Sequence, residues 1–200
     1  MTSQVKPELI GLVLAGGESR RLGEDKGQLR LHDRTQAEHS VALLKPYCRT
    51  VYLSVRREQA EQKPYKDQPS LPDDEAFSGP AAGLLTAWQR YPNNALLVLA
   101  VDMPLVDSEL IDLLVQGRRI DAVATAYRHS GGIIEPLCTI WEPSAEPVLR
   151  SATGDRNSTS LRRFLESADV ELLDAPALEK LVSVNTPEAV DAARRALKCT

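Results

Sequence analysis

Between Gly16 and Lys26 the chain reads Gly-Gly-Glu-Ser-Arg-Arg-Leu-Gly-Glu-Asp-Lys, a glycine pair followed within ten residues by Arg20, Arg21 and Lys26. Two adjacent glycines let a backbone turn sharply and approach a ligand closely, because neither carries a Cβ. Their amides can then face phosphate oxygens as an anion-binding concavity. The arginines offer planar forks and the lysine a mobile point charge, so the loop is chemically suited to gripping a triphosphate. A second position with chemical promise is Asp102, in Asp102-Met103-Pro104, which follows the apolar run from Ala95 to Val101. Open α/β sheets place ligand chemistry at the carboxyl ends of their strands. A lone carboxylate buried there is costly to desolvate and calls for a cation. The plain alternatives are a strand-to-helix turn for the glycines and a helix cap for Asp102. Asp107 and Ser108 are better placed to cap a helix over 109–115, which leaves Asp102 without that duty.

The elements that must hold these residues can be read from periodicity. Leu9 to Ala15 and Ala95 to Val101 are continuous apolar runs too short for comfortable helices, as expected of strands covered on both faces. Val51 to Val55, Ile120 to Ala126, Leu137 to Trp141 and Val170 to Leu173 read as further strands, and Leu29 to Leu31 as a very short one. Helices are expected from about Thr35 to Pro46, with Thr35 and Glu38 as a capping box, and from Pro80 to about Tyr91. Others fall over 109–115, 143–149 and 160–168, and from Pro187 to about Leu197 behind an N-capping Thr186. The proline-rich, acidic stretch 69–80 reads as a loop. Alternating strands and helices give a three-layer α/β domain with a mainly parallel sheet. The glycine loop and Asp102 follow two of its strands, so both can lie at one edge of that sheet.

Two hundred residues suffice for one domain with a sizeable core, and no linker or internal repeat divides 1–200. A net charge of −4 argues against a general nucleic-acid or membrane binder, so a positive site must be local. No run reaches the length of a membrane helix and the first residues lack an apolar secretory core, which points to the cytoplasm. Cys48, Cys138 and Cys199 are odd in number and widely spaced, which suits reduced thiols with no assigned chemistry.

The loop fits neither G-x-x-x-x-G-K-[ST] nor G-x-G-x-x-G. From Leu14 to Lys26 it resembles the signature L-A-G-G-x-S-x-R-M-G-x-D-K of the molybdenum cofactor guanylyltransferase family, with Leu22 in place of the methionine. The resemblance continues through Pro72-Asp73-Asp74, the Gly79-Pro80-Ala81-Ala82-Gly83 helix start, Asp102-Met103-Pro104, Pro136-Leu137 and Asn185-Thr186-Pro187-Glu188. It is dense over roughly the first 110 residues and thin afterwards. It implies a single Rossmann-like nucleotidyltransferase domain that transfers GMP from GTP to the terminal phosphate of molybdopterin and releases pyrophosphate.

In that reading GTP binds over Leu14, Ala15, Gly16 and Gly17, with Lys26, Ser54, Asp74, Gly79 and Asp102 also in contact. Arg21, Lys26 and Asp102 carry catalysis. Asp102 holds Mg²⁺, with Asn185 as a further metal or acceptor contact, and Arg156 meets the acceptor's phosphate. Arg162 and Arg163 could meet the same phosphate, although an exposed helix face is the commoner fate of such arginines and is favoured for Arg163; a packed helix face is favoured for His39. Asp73 is as readily a solvated loop residue as a ligand. Guanine rather than cytosine is implied by Gly16, since related cytidylyltransferases typically read L-A-A-G. Two positions depart from the family: Ser54 and Ser183 stand where it carries asparagines. The partners implied are GTP, the molybdenum cofactor, and cofactor-biosynthesis proteins or recipient molybdoenzymes. A nucleotidylyltransferase using CTP or acting on another phosphorylated acceptor is the alternative within enzymes. A GTP-binding regulatory protein without turnover is the alternative outside them.

Overall fold

The computed structural model describes residues 6–17, 22–154 and 159–198. Seven strands form one sheet: β1 (Leu9–Leu14), β2 (Thr50–Val55), β3 (Ser70–Pro72), β4 (Ala95–Ala100), β5 (Ala124–Arg128), β6 (Ile134–Trp141) and β7 (Val170–Asp174). Their spatial order is β3-β2-β1-β4-β6-β5-β7, with every pairing parallel except the two made by β6. The helices are α1 (Gln36–Leu44), α2 (Arg57–Ala60), α3 (Pro80–Arg90), α4 (Ser108–Gln116), α5 (Ala145–Thr153), α6 (Leu161–Glu166) and α7 (Pro187–Lys198).

The apolar runs of β1 and β4 are central because alternate side chains feed opposite layers. Leu97 and Leu99 pack with Val13, Leu53 and the inner faces of α1 and α4. Leu96 and Val98 pack with Ile10, Leu12, Trp88 of α3, Leu149 of α5 and Phe164 of α6. The sheet is therefore covered on both faces, as the alternating pattern implies. A smaller cluster of Leu29, Val184, Val190 and Ala193 seats α7 beside the first loop. Among the described residues no helix is long and apolar enough to cross a membrane.

Local signals act where they stand. Thr35 and Glu38 form the reciprocal capping box of α1, with the Glu38 carboxylate accepting from Thr35 N–H at 2.8 Å. Asp107 caps α4 by accepting from Leu110 N–H. Besides shifted ends of β6 and α5, three segments differ from the sequence expectation. Leu29 to Leu31 is no strand; the chain there leaves a single 3-10 turn at Lys26–Gln28. The stretch 69–80 contains β3, an edge strand pairing Leu53 with Ser70 and Val55 with Pro72, where proline's missing N–H is tolerated. The strand expected from Ile120 begins instead at Ala124. Arg118 forms a two-bond ion pair with Glu142, both side chains 1% exposed, and this anchors the turn before it.

Candidate active site

The carboxyl ends of β1, β2 and β4, the exit of β3 and the start of α3 surround one cleft of about 990 Å³. That is the upper end of the ~300–1,000 Å³ typical of small-molecule sites. Every residue of the expected nucleotide set borders it: Leu14, Ala15, Gly16, Gly17, Lys26, Ser54, Asp74, Gly79 and Asp102. Arg21 and Arg156 lie outside the described residues.

The loop after β1 is held from beneath. Ala15 N–H donates to Ser54 C=O, and Gln59 Nε2 bonds both Ala15 C=O at 3.3 Å and Asp25 Oδ2 at 3.0 Å. Asp25 Oδ1 accepts from Gly27 N–H at 2.9 Å and from the hydroxyl of fully buried Tyr65. Gln59 and Tyr65 are positioning residues that no motif marks. They sit in the charged segment after β2, where only their unusual apolar or amide character stands out.

At one end of the cleft Lys26 Nζ lies 2.7 Å from Asp102 Oδ2 and also donates to Asn185 Oδ1. Both side chains of the Lys26–Asp102 pair are largely buried, at 17% and 16% exposure. Val184 N–H donates to Asp102 C=O at 2.8 Å, which pins the chain so that Asn185 meets a lysine 159 positions away. Asp102 Oδ1 is buried with no hydrogen-bond partner. A carboxylate that shares one cation with a carboxamide oxygen and keeps its second oxygen unpartnered fits a hard divalent cation, which takes oxygen ligands and completes its shell with substrate phosphates. Among the described residues no group of three or more His, Cys, Asp or Glu gathers to hold a metal without such help.

The other end holds a different carboxylate. Asp73, just beyond β3, accepts from Ser54 Oγ at 2.6 Å, and its Oδ2 lies beside the Gly16 backbone, 3.0 Å from where a Cβ would stand. Burial pushes its carboxyl up to about 6, against the opposing Ser54 hydrogen bond. Asp74 borders the cleft too, but its carboxylate accepts from Ala76 N–H and Gln89 Nε2. These bonds hold its carboxyl below the ordinary value. Strand alternation separates the two neighbours: Asp73 N–H still bonds Val55 C=O, while Asp74 N–H turns to Thr86 Oγ1 on α3.

Two glycines are required by the packing here. Gly79 caps α3 at φ 67°, a left-handed conformation that side chains disfavour. A Cβ at Gly83 would strike Ser54 Oγ and come within 2.7 Å of Leu14 Cδ2. On the far wall, the β4–β6 register sets Cys138 opposite Leu99 and so brings Leu137 to the cleft.

The remaining titratable candidates stand apart from the cleft. His39 stacks on His32 with ring centroids 3.5 Å apart, and burial, with the His32 charge, pushes its pKa down to about 4. Cys48 and Cys138 are free thiols raised by burial, Cys48 to about 12, while Cys199 lies outside the described residues.

A mostly parallel sheet, with a glycine loop after its first strand and a cation–carboxylate pair at the same edge, is the architecture of a nucleotidyltransferase. The chain belongs to the MobA-like NTP transferase family, whose domain matches residues 11–192. It is 34% identical over 181 residues to a molybdenum cofactor biosynthesis bifunctional protein of Synechocystis sp., covering 90% of this chain but only 52% of that longer relative. It is 28% identical to the molybdenum cofactor guanylyltransferase of Shewanella amazonensis, over 93% of this chain and 95% of that one. The solved structure of molybdopterin-guanine dinucleotide biosynthesis protein A from Archaeoglobus fulgidus shares the fold. Its TM-score is 0.79 at 21% identity, with 96% of this chain and 100% of that chain covered.

Proposed function

We propose that this nucleotidyltransferase transfers GMP from GTP to the terminal phosphate of molybdopterin, in its molybdenum-loaded form. The observation that carries the proposal is the Lys26–Asp102–Asn185 constellation at one end of a cleft whose other end presents Asp73. The relatives named as guanylyltransferases support the choice of substrates.

An oxygen of the acceptor phosphate attacks the α-phosphorus of GTP in line. The bond from that phosphorus to the oxygen bridging to the β-phosphate breaks, and pyrophosphate leaves with the electron pair. The attacking phosphate is already anionic, so no strong general base is needed. Catalysis then rests on positioning and on neutralising charge at the leaving group. The loop amides of Gly16 and Gly17 cradle the phosphates, while the Ala15 amide, bonded to Ser54 C=O, holds the strand end in place, and Lys26 adds its charge beside them. Asp102 and Asn185 would hold Mg²⁺, which supplies charge neutralisation at the phosphate oxygens.

Asp73 supplies the base contact. An ionised carboxylate accepts from two adjacent donors, and guanine offers such a pair on its N1–H and N2–H₂ edge, whereas cytosine and adenine do not. Ser54 donates to Oδ1 and so orients the carboxylate, which gives this chain's serine a role despite its shorter reach. Asp74 borders the same cleft and is the competing base contact.

The test incubates the purified protein with Mg²⁺, molybdenum cofactor and GTP, CTP or ATP in parallel, with mass-spectrometric detection of product. Guanine dinucleotide formed with GTP alone is the expected result. Product with CTP instead overturns the base assignment. GTP binding without product overturns the acceptor, and with it the proposed reaction.

A further inference from the structure

The ammonium of Lys26 bridges Asp102 Oδ2 and Asn185 Oδ1, two of the oxygens that a metal ion held by these residues would draw on. Nζ is 2.7 Å from Asp102 Oδ2 and is bonded to Asn185 Oδ1, while Asp102 Oδ1 stays buried without a partner. Lysine's ammonium is a compact point charge, and a divalent ion of the magnesium type seeks the same hard oxygens. Two like charges cannot share one carboxylate and one carboxamide in a partly buried site without strong repulsion. We infer that Lys26 is a built-in cation that holds the metal position shut until nucleotide arrives, so that the divalent ion binds only with the triphosphate. The inference rests on the nucleotide-transfer reading of this cleft and extends it to the order in which its charges assemble.

Three observations support it. The pair is largely buried, so Asp102 without a cation would be an uncompensated carboxylate in the empty protein. Lys26 supplies the compensation from within the chain, because the neighbouring Asn185 carries no charge to offset it. Among the described residues the protein oxygens are also too few to make a metal cage: one carboxylate and one carboxamide leave most of an octahedral shell to other ligands such as water or phosphate. Lys26 borders the cleft beside the glycine loop, so its flexible stem can follow an incoming phosphate while its head leaves Asp102. The triphosphate then draws Lys26 away and brings the missing ligands in the same event.

The experiment titrates Mn²⁺ into nucleotide-free protein, followed by electron paramagnetic resonance of the free ion and by thermal melting. Wild type, Lys26→Met, Lys26→Gln and Lys26→Met/Asp102→Asn are compared, each checked for folding by circular dichroism. Wild type should show no Asp102-dependent site. Both single variants should gain one Mn²⁺ site at least roughly tenfold tighter than any in wild type, since a repelling charge has been removed. Mn²⁺ should raise their melting temperature, and both gains should vanish in the double variant. If Lys26→Met and Lys26→Gln bind Mn²⁺ no better than wild type, the inference is overturned. It is also overturned if nucleotide-free wild type already binds Mn²⁺ at Asp102. GTP binding to wild type, measured separately by calorimetry, tests the nucleotide reading: its absence sinks that reading whatever the Mn²⁺ titrations show.

Discussion

The cleft buries two carboxylates at the same sheet edge and treats them in opposite ways. Asp102 is compensated by the protein's own cation, Lys26, before any substrate is present. Among the described residues Asp73 is met by a serine hydroxyl and no cation, and burial raises its carboxyl to about 6. The difference assigns tasks. On the proposed reading the Asp102 end takes phosphates and a metal ion, and Lys26 holds the carboxylate's charge until they arrive. At the Asp73 end compensation is left to the ligand, so that a substrate bringing two hydrogen-bond donors gains most by binding there.

The largest expected effect comes from breaking the compensated end. Lys26→Ala and Asp102→Ala should each lower turnover on the order of 10² to 10³ while leaving a folded protein, as read by steady-state kinetics and circular dichroism. Near-normal turnover in either variant would remove that residue from the mechanism.

At the uncompensated end, Asp73→Asn should weaken GTP binding and relax the preference for guanine, measured as the ratio of kcat/KM for GTP and ATP. Asp74→Asn should leave that ratio within about twofold, because its carboxylate is spent on Ala76 and Gln89. The reverse outcome would exchange their roles.

The same carboxylate gives a stability change of definite sign. Asp73's folded value, about 6, lies above its ordinary 3.8, so the folded state holds its proton more tightly than the unfolded chain. The stabilisation this provides is complete below about 3.8 and is lost as pH rises through about 6. Asp73→Asn should therefore stabilise the protein at pH 7, on the order of 2 kcal/mol in urea unfolding, with little change near pH 4. GTP affinity should run the other way in wild type. It should fall as pH drops through about 6, where the accepting carboxylate is protonated, and this dependence should flatten in Asp73→Asn.

The smallest effect tests the support shared by both ends. Tyr65→Phe removes the hydroxyl that donates to Asp25 and should cost about 1 kcal/mol of stability while raising KM for GTP. A KM unchanged alongside a lower melting temperature would confine Tyr65 to packing.

Much of this molecule is legible from local pattern because local physics decides it. The apolar runs of β1 and β4, the Thr35–Glu38 capping box and the Asp107 cap depend on spacing within a few residues. The late start of β5 is not legible, since the turn before it is flanked by a buried Arg118–Glu142 pair spanning 24 positions, which no local pattern announces. The resemblance from Leu14 to Lys26 names the phosphate loop, yet Gln59 and Tyr65, which hold it, carry no signature.

Sequence alone determined the residue types of the site: a glycine pair with a lysine, a strand-end Asp102 and an Asn185 not needed to cap α7. Tertiary structure decided which of them share charge. Lys26 meets Asp102 and Asn185 across 76 and 159 positions because β1 lies beside β4 and the Val184 amide is pinned to Asp102 C=O. It also gave two adjacent aspartates different surroundings. Successive residues at a strand's end point to opposite sides, so the register of β3 on β2 sends Asp73 toward Ser54 and leaves Asp74 to the helix start.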